Sequence, residues 1–214
     1  MTLDLSPDEL LSTTRAVRKR LDLTRPVPRE LLAECVAIAT QAPTGSNTQG
    51  WHFVIVEGAP EKEALAELYG RAFDPYIDAM VPAYAPGDSR TERRNRVRES
   101  ALYLRQHLHE VPAMLIPCVL GRLPESAPTI LGASMYGSIL PAVWSFMLAA
   151  RARALGTAWT TLHLVFEKDA ADILGIPFDT VTQVGLIPVA YTIGTDFQPG
   201  GRIPLDEVVH WGHW

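Results

Sequence analysis

The chain has 214 residues, 47% hydrophobic and 20% charged, which suits one folded domain over 1–214 and excludes a disordered or fibrous protein. Nineteen Lys and Arg against 24 Asp and Glu leave a net charge of −5, which argues against a general nucleic-acid partner. The two cysteines, Cys35 and Cys118, make neither a disulfide framework nor a zinc motif, so both read as small buried apolar residues in a reducing cytoplasm.

The opening MTLDLSPDEL lacks the basic and apolar regions of a signal peptide. Ser6-Pro7-Asp8-Glu9 is a helix start, with Ser as N-cap and Glu at the capping-box position, and predicts a helix to about Arg20. Pro28 opens a second helix, with Leu31, Leu32, Cys35, Val36 and Ala39 at helical spacing. The polar run from Gln41 to Asn47 stops it, and 52–56 reads as a buried strand. A helix is predicted over 61–71. Residues 72–89 hold Pro75, Pro82, Pro86 and Gly87 and read as irregular, and a charged helix returns from Arg90 to about Glu110.

Pro112 to Leu120 is an apolar strand whose prolines suit a sheet edge or an interrupted strand. Ser126 to Ala150 contains no charged residue and is long enough to cross a bilayer. Its Pro, Gly and Ser content reads instead as a core helix over about 134–154 that serves as half of a subunit interface, so no membrane partner is expected. Strands at 157–162 and 182–190 flank a short helix at 167–174, and the tail from Phe197 has no period. Regular βαβ alternation is missing, so the expected class is α+β, with a mixed or antiparallel sheet wrapped by helices.

Arg15, Arg18, Lys19 and Arg20 crowd one short run, and on a helix Arg15 and Lys19 would share a face suited to a phosphate. The loop from Ala42 to Trp51 offers amides and hydroxyls to a planar heterocycle. Gly45 to Gly50 has the spacing of a phosphate loop, but Trp51 stands where Lys is needed, and no GxGxxG occurs. His107/His109 and His210/His213 lack a matching set of carboxylates or thiolates, so no metal site is expected. Arg90, Arg93, Arg94, Arg96 and Arg98, interspersed with Glu92 and Glu99, read as a solvated face or a lid.

In order along the chain, RAVRKRLD, RPVPRELL, APTGSNTQGWHFVIV, ALGTAWTTLHL, GLIPVAYTIG and GRIPLDEVVHW resemble the nitroreductase family of FMN-dependent oxidoreductases. The resemblance spans about residues 13–211. It implies an α+β fold with a mostly antiparallel central sheet, an intertwined homodimer, and FMN as cofactor. It further implies NADH or NADPH as reductant, and a nitroaromatic, quinone or similar small aromatic acceptor served by a ping-pong route.

Residue by residue, Arg15 and Lys19 match the basic pair for the phosphate and the pyrimidine edge of the flavin, with Arg18 as a further cation. Val17 stands where Ser is common, so a contact there would be through the backbone. Pro43, Thr44, Gly45, Asn47 and Gln49 match a loop that reaches FMN from the other subunit. Thr160, Thr161 and Leu162 match the segment near flavin N5, and Arg202 the C-terminal phosphate ligand. No side chain is expected to be catalytic, since N5 carries the chemistry. Gly200 replaces a frequent second cation, and Trp144 a frequent Gln on the long helix. The alternatives are a specialised enzyme of the same fold, such as a dehalogenase, an azoline oxidase or a flavin-fragmenting enzyme, or an FMN-binding storage protein with low turnover.

Overall fold

The structure, a computed structural model, describes residues 2–79 and 90–214. Ser6 caps α1 (Pro7–Thr13) in a capping box: its hydroxyl accepts from the Glu9 N–H, and the Glu9 carboxylate accepts from the Ser6 N–H at 2.8 Å. The helix ends at Thr13 rather than near Arg20. The hydroxyls of Thr13 and Thr14 donate to the carbonyls of Glu9 and Leu10, each at 2.6 Å, and satisfy the last turn. The sheet then captures the chain. Val17 donates its N–H to the Thr157 carbonyl at 2.8 Å, and Asp22 donates to that of Tyr191 at 2.8 Å. Arg15 to Arg20 is therefore a sheet-edge segment and a turn, and the shared helix face expected for Arg15 and Lys19 does not form.

Among the described residues five strands make one antiparallel sheet: β1 (Trp51–Val56), β2 (Ala113–Leu120), β3 (Leu155–Thr157), β4 (Val181–Gln183) and β5 (Ile187–Tyr191). The order is β1-β2-β5-β3, with β4 also on β2. The proline-bearing strand β2 is thus central and not an edge. Pro117 is tolerated for a definable reason. A strand residue points its N–H and C=O the same way, and the Pro117 carbonyl accepts from the Val184 N–H at 2.9 Å. The missing N–H therefore faces residues 184–186, the gap between β4 and β5 where no strand asks for it. The same gap splits the strand expected over 182–190.

Side chains of β2 alternate between two cores. Ala113, Leu115 and Val119 join Leu32, Cys35, Val143 and Phe146 beneath α2 (Arg29–Ala39) and α5 (Thr129–Ala152). Met114, Ile116 and Cys118 join Leu65, Phe73, Leu104 and Ala171 beneath α3 (Ala59–Ala79), α4 (Arg90–His107) and α6 (Glu167–Leu174). Both thiols are buried, and burial pushes Cys35 up to about 11 and Cys118 up to about 12, which removes reactive thiolate.

Helix α3 runs through Pro75 to Ala79, beyond the predicted end at 71. Burying Ala72 and Phe73 in the core outweighs the local cost of the proline. The rest of the segment expected to be irregular, 80–89, lies outside the described residues. Helix α5 is long and apolar enough to cross a membrane by composition. Its C-terminal half packs in the core through Ile139, Val143, Phe146 and Ala150, while Ile130, Gly137, Pro141 and Trp144 stay exposed.

Candidate active site

Two cavities meet at Arg18. The first, of about 300 Å³, has aromatic walls from Tyr69, Phe73 and Tyr76 of α3 and from Trp159. Further walls come from Ile77 of α3, from Arg94, Val97, Arg98 and Ala101 of α4, and from Thr160, Thr161 and Leu162. The second, of about 470 Å³, is bounded by Arg15, Ala16 and Arg18, by Arg96 and Ser100 of α4, and by the tail turn Pro199 to Arg202. No carboxylate lines either cavity among the described residues.

The gap in the sheet builds the first wall. Thr160 exchanges backbone hydrogen bonds with Leu186 at 2.8 and 3.1 Å, and its hydroxyl donates to the Leu186 carbonyl at 2.8 Å. This places Thr161 and Leu162 over the opening between β4 and β5. Gly185 makes the approach possible, since a Cβ there would lie 2.8 Å from the Trp159 indole nitrogen and 3.3 Å from the Thr160 carbonyl.

Arg18 is half-buried and donates to the Ser100 hydroxyl at 3.4 Å. Burial lowers its pKa, partly countered by Tyr69, whose own phenol burial pushes up to about 12. A guanidinium in such surroundings gains when an anion enters. Arg15 donates to the Gln198 carbonyl at 3.2 Å and Arg202 to that of Gly201 at 3.1 Å, and each leaves further N–H groups beside the second cavity. Lys19 lines neither cavity and pairs with Glu99 at 3.2 Å, both side chains being more than half exposed. Val17 is buried at 5% exposure and its N–H is committed to Thr157.

Pro43 to Gln49 lies elsewhere, packed on α5. The Gly45 N–H donates to the Ser138 hydroxyl at 3.0 Å, and a Cβ on Gly45 would sit 2.8 Å from the Ser134 hydroxyl. Ser46, Asn47 and Gln49 all take left-handed backbone, at φ 51, 52 and 49. Such strain costs about 1–3 kcal/mol per residue and gathers at functional loops. The Gln49 side chain donates to that of Asn47 at 3.2 Å and its N–H to the Thr44 hydroxyl at 3.1 Å, so the loop's own side chains hold it. Gly45, Ser46 and Thr48 line a separate cavity of about 460 Å³ with Leu131, Met135 and Arg122. Within one chain this loop does not reach the cavities at Arg18, and Trp144 lines none of the three.

Several site residues are not marked by the sequence motifs. Arg96 and Ser100, four apart on α4, face the second cavity, while Arg94, Arg98 and Ala101 face the first. Their spacing is readable in the sequence, but which face meets the site is not. His163, next to Leu162, is fully buried, and among the described residues neither ring nitrogen makes a well-formed hydrogen bond, its polar neighbours being Gln183 and Glu167. Burial outweighs the neighbouring Gln183 and Glu167 and pushes its pKa down to about 4. Among the described residues, no three His, Cys, Asp or Glu side chains group as metal ligands.

Residues 11–191 match the nitroreductase family model. The chain belongs to the nitroreductase family. Within that family it is similar to a 4-nitrobenzoate reductase of Pseudomonas putida, 39% identical over 90 residues, which cover 42% of this chain and 37% of that protein. The match thus spans little more than a third of the relative's length. An iodotyrosine deiodinase crystallised with FMN and 3-iodo-L-tyrosine shares the fold, with a TM-score of 0.70 at 23% identity over 97% of this chain and 98% of that one. So does the FMN- and NADPH-dependent nitroreductase NfnB of Sphigopyxis sp. strain HMH, with a TM-score of 0.70 at 22% identity over 98% of this chain and 100% of that one. The α+β nitroreductase architecture expected from the motifs is therefore present.

Proposed function

We propose that this nitroreductase-family protein is an FMN-dependent oxidoreductase that takes hydride from NADH or NADPH and passes it to a nitroaromatic, quinone or similar aromatic acceptor. The supporting observation is the junction at Arg18 of a cavity rich in guanidinium groups with one rich in aromatic side chains, neither lined by a carboxylate among the described residues. The first kind of surface fits a phosphate and the second a planar ring. FMN carries both, so the residues present fit it.

Bound FMN supplies reversible two-electron chemistry; the protein positions and tunes it. Arg15, Arg96 and Arg202, which line the second cavity, would hold the phosphate through charge-assisted hydrogen bonds. Arg18, at the junction, would offer its cation to the ring system, a role its place in the cavity wall supports better than Lys19's pairing with Glu99. Thr160, tied to Leu186, fixes Thr161 and Leu162 in the cavity wall, where they would line the ring of a bound flavin. With a nitroarene, one NAD(P)H and one proton convert the nitro group to a nitroso group and water, a balanced two-electron step. The oxidised nicotinamide leaves before the acceptor enters, which makes the cycle ping-pong.

The site is completed by a second copy of the chain. Pro43, Thr44, Gly45, Asn47 and Gln49 would reach the flavin across a dimer interface, which gives the strained loop a purpose. An uncharged stripe on α5, at Ile130, Gly137, Pro141 and Trp144, and the exposed tail with Trp211 and Trp214 offer that interface.

The deciding experiment is the visible spectrum of the purified protein, followed by NADH or NADPH under nitrogen. A flavin spectrum that bleaches is expected. A flavin spectrum that persists with both nicotinamides would replace this reading with flavin storage, and a colourless protein that takes up no FMN would end it.

A further inference from the structure

We infer that Arg151, which lines neither of the two cavities at Arg18, is the positioning residue of the phosphate site: it ties the end of α1 to the tail and so fixes where Arg15 stands relative to Arg202. The inference rests on the flavin oxidoreductase reading above. Arg151 lies in the last turn of α5 and is only 3% exposed. A buried guanidinium ordinarily answers to a carboxylate, and this one does not. Its Nε and Nη1 have no hydrogen-bond partner among the described residues, while Nη2 donates to the Thr13 hydroxyl at 3.4 Å and to the Thr195 carbonyl at 3.0 Å. Burial and the neighbouring Arg20 both lower its pKa, so the charge is held at a cost in stability. What the side chain delivers is geometry, since a single nitrogen joins two segments that lie at opposite ends of the chain.

Both segments carry cations of the second cavity. Arg15 follows Thr13 by two residues, and the turn from Pro199 to Arg202 follows Thr195 within a few. Residues 193–204 belong to no strand or helix, so side chains must place them. Phe197 is the anchor: the Arg151 and Arg20 guanidinium groups lie over its ring, 4.9 and 4.3 Å from the centroid. The next carbonyl, that of Gln198, accepts from Arg15 at 3.2 Å and closes the connection. Arg20 holds the same stretch from outside, through the Ile193 carbonyl at 2.7 Å and an ion pair with the exposed Asp196. Water competes for that outer hold and not for the buried one. Arg151 therefore sets the spacing of the phosphate cations without being one of them.

The test titrates the full-length protein, stripped of any flavin, with FMN and with riboflavin, which has the same ring system and no phosphate. Arg151→Met keeps an apolar stem of similar length and removes the fork. It is expected to weaken FMN binding about tenfold or more, the size of a charge-assisted contact, and riboflavin binding by less than about twofold. Arg151→Lys, which keeps a cationic donor for the Thr195 carbonyl, recovers part of the FMN loss. Phe197→Leu leaves both guanidinium groups and removes the ring beneath them, so it is expected to show the same split and serves if Arg151→Met does not fold. Melting of the flavin-free variants is followed alongside. An equal loss for the two flavins, or a lowered melting temperature with FMN affinity unchanged, overturns the inference alone and leaves Arg151 a residue of the core. A wild-type protein that takes up neither flavin overturns both the inference and the reading beneath it.

Discussion

Arg96 stands among alternating arginines and glutamates that read as a solvated surface, yet its side chain shares a cavity with Arg15 and Arg202. If it holds the phosphate, Arg96→Ala weakens FMN binding by about 1.5–3 kcal/mol and leaves riboflavin binding unchanged, because only FMN carries the phosphate. Titration of both flavins by fluorescence quenching checks this, and an equal loss for both removes Arg96 from the phosphate site. His163 makes a separate prediction. Its folded pKa is lowered from 6.5 to about 4, so the unfolded chain takes a proton that the buried ring refuses. The associated stability is fully present above pH 6.5 and is lost as pH falls toward 4, by about 3 kcal/mol in all. Urea unfolding at pH 7 and pH 4.5 is expected to show a steeper acid loss in the wild type than in His163→Leu. Parallel losses would mean that other groups carry the acid sensitivity.

At the scale of elements, the captured segment from Ala16 to Leu21 decides where the cations go. It lies against β3 at a residue with no side chain. A Cβ on Gly156 would meet the Thr192 methyl at 2.8 Å, and Leu21 Cδ2 and Val17 Cβ at 3.0 Å. Gly156→Ala therefore pushes Val17 off the strand, destabilising the protein by about 1–3 kcal/mol. Because Arg15 and Arg18 ride on that segment, FMN retention is expected to fall with it. Melting temperature and flavin content after gel filtration test both, and a variant with wild-type values would show that the segment tolerates displacement. The same contact explains why a helix to Arg20 was a wrong expectation. The capping box at Ser6 is local and legible, but the end of the helix is set by hydrogen bonds to Thr157 and Tyr191, far along the chain.

At the scale of the whole molecule, α5 is two helices in one. Its buried half, with Val143 and Phe146, belongs to the core, while its other half presents Ile130 at 74% exposure. On a free surface Ile130→Glu changes stability by less than about 0.5 kcal/mol. If that stripe is the face of a dimer, the substitution buries a charge without a partner and separates the subunits. Sedimentation at micromolar concentration is expected to show two chains for the wild type and one for the variant, with flavin lost on separation. Two chains in both would place the interface elsewhere.

Composition, capping and motif order determined by themselves the α+β class, the positions of α2, α6 and β1, and the family, because these depend on neighbours in the chain or on residues with one chemical use. The cationic run at Arg15, the segment at Thr160 and the loop at Gly45 were legible as candidates for the same reason. Only the tertiary structure decided that Pro117 sits in a central strand, since the gap between β4 and β5 that excuses its missing N–H is made by residues more than sixty positions away. It likewise decided that Arg18 faces both cavities while Lys19 turns to Glu99, and that α4 sends Arg96 one way and Arg98 the other. The direction of a side chain follows from what packs behind it, and the packing partners come from across the fold.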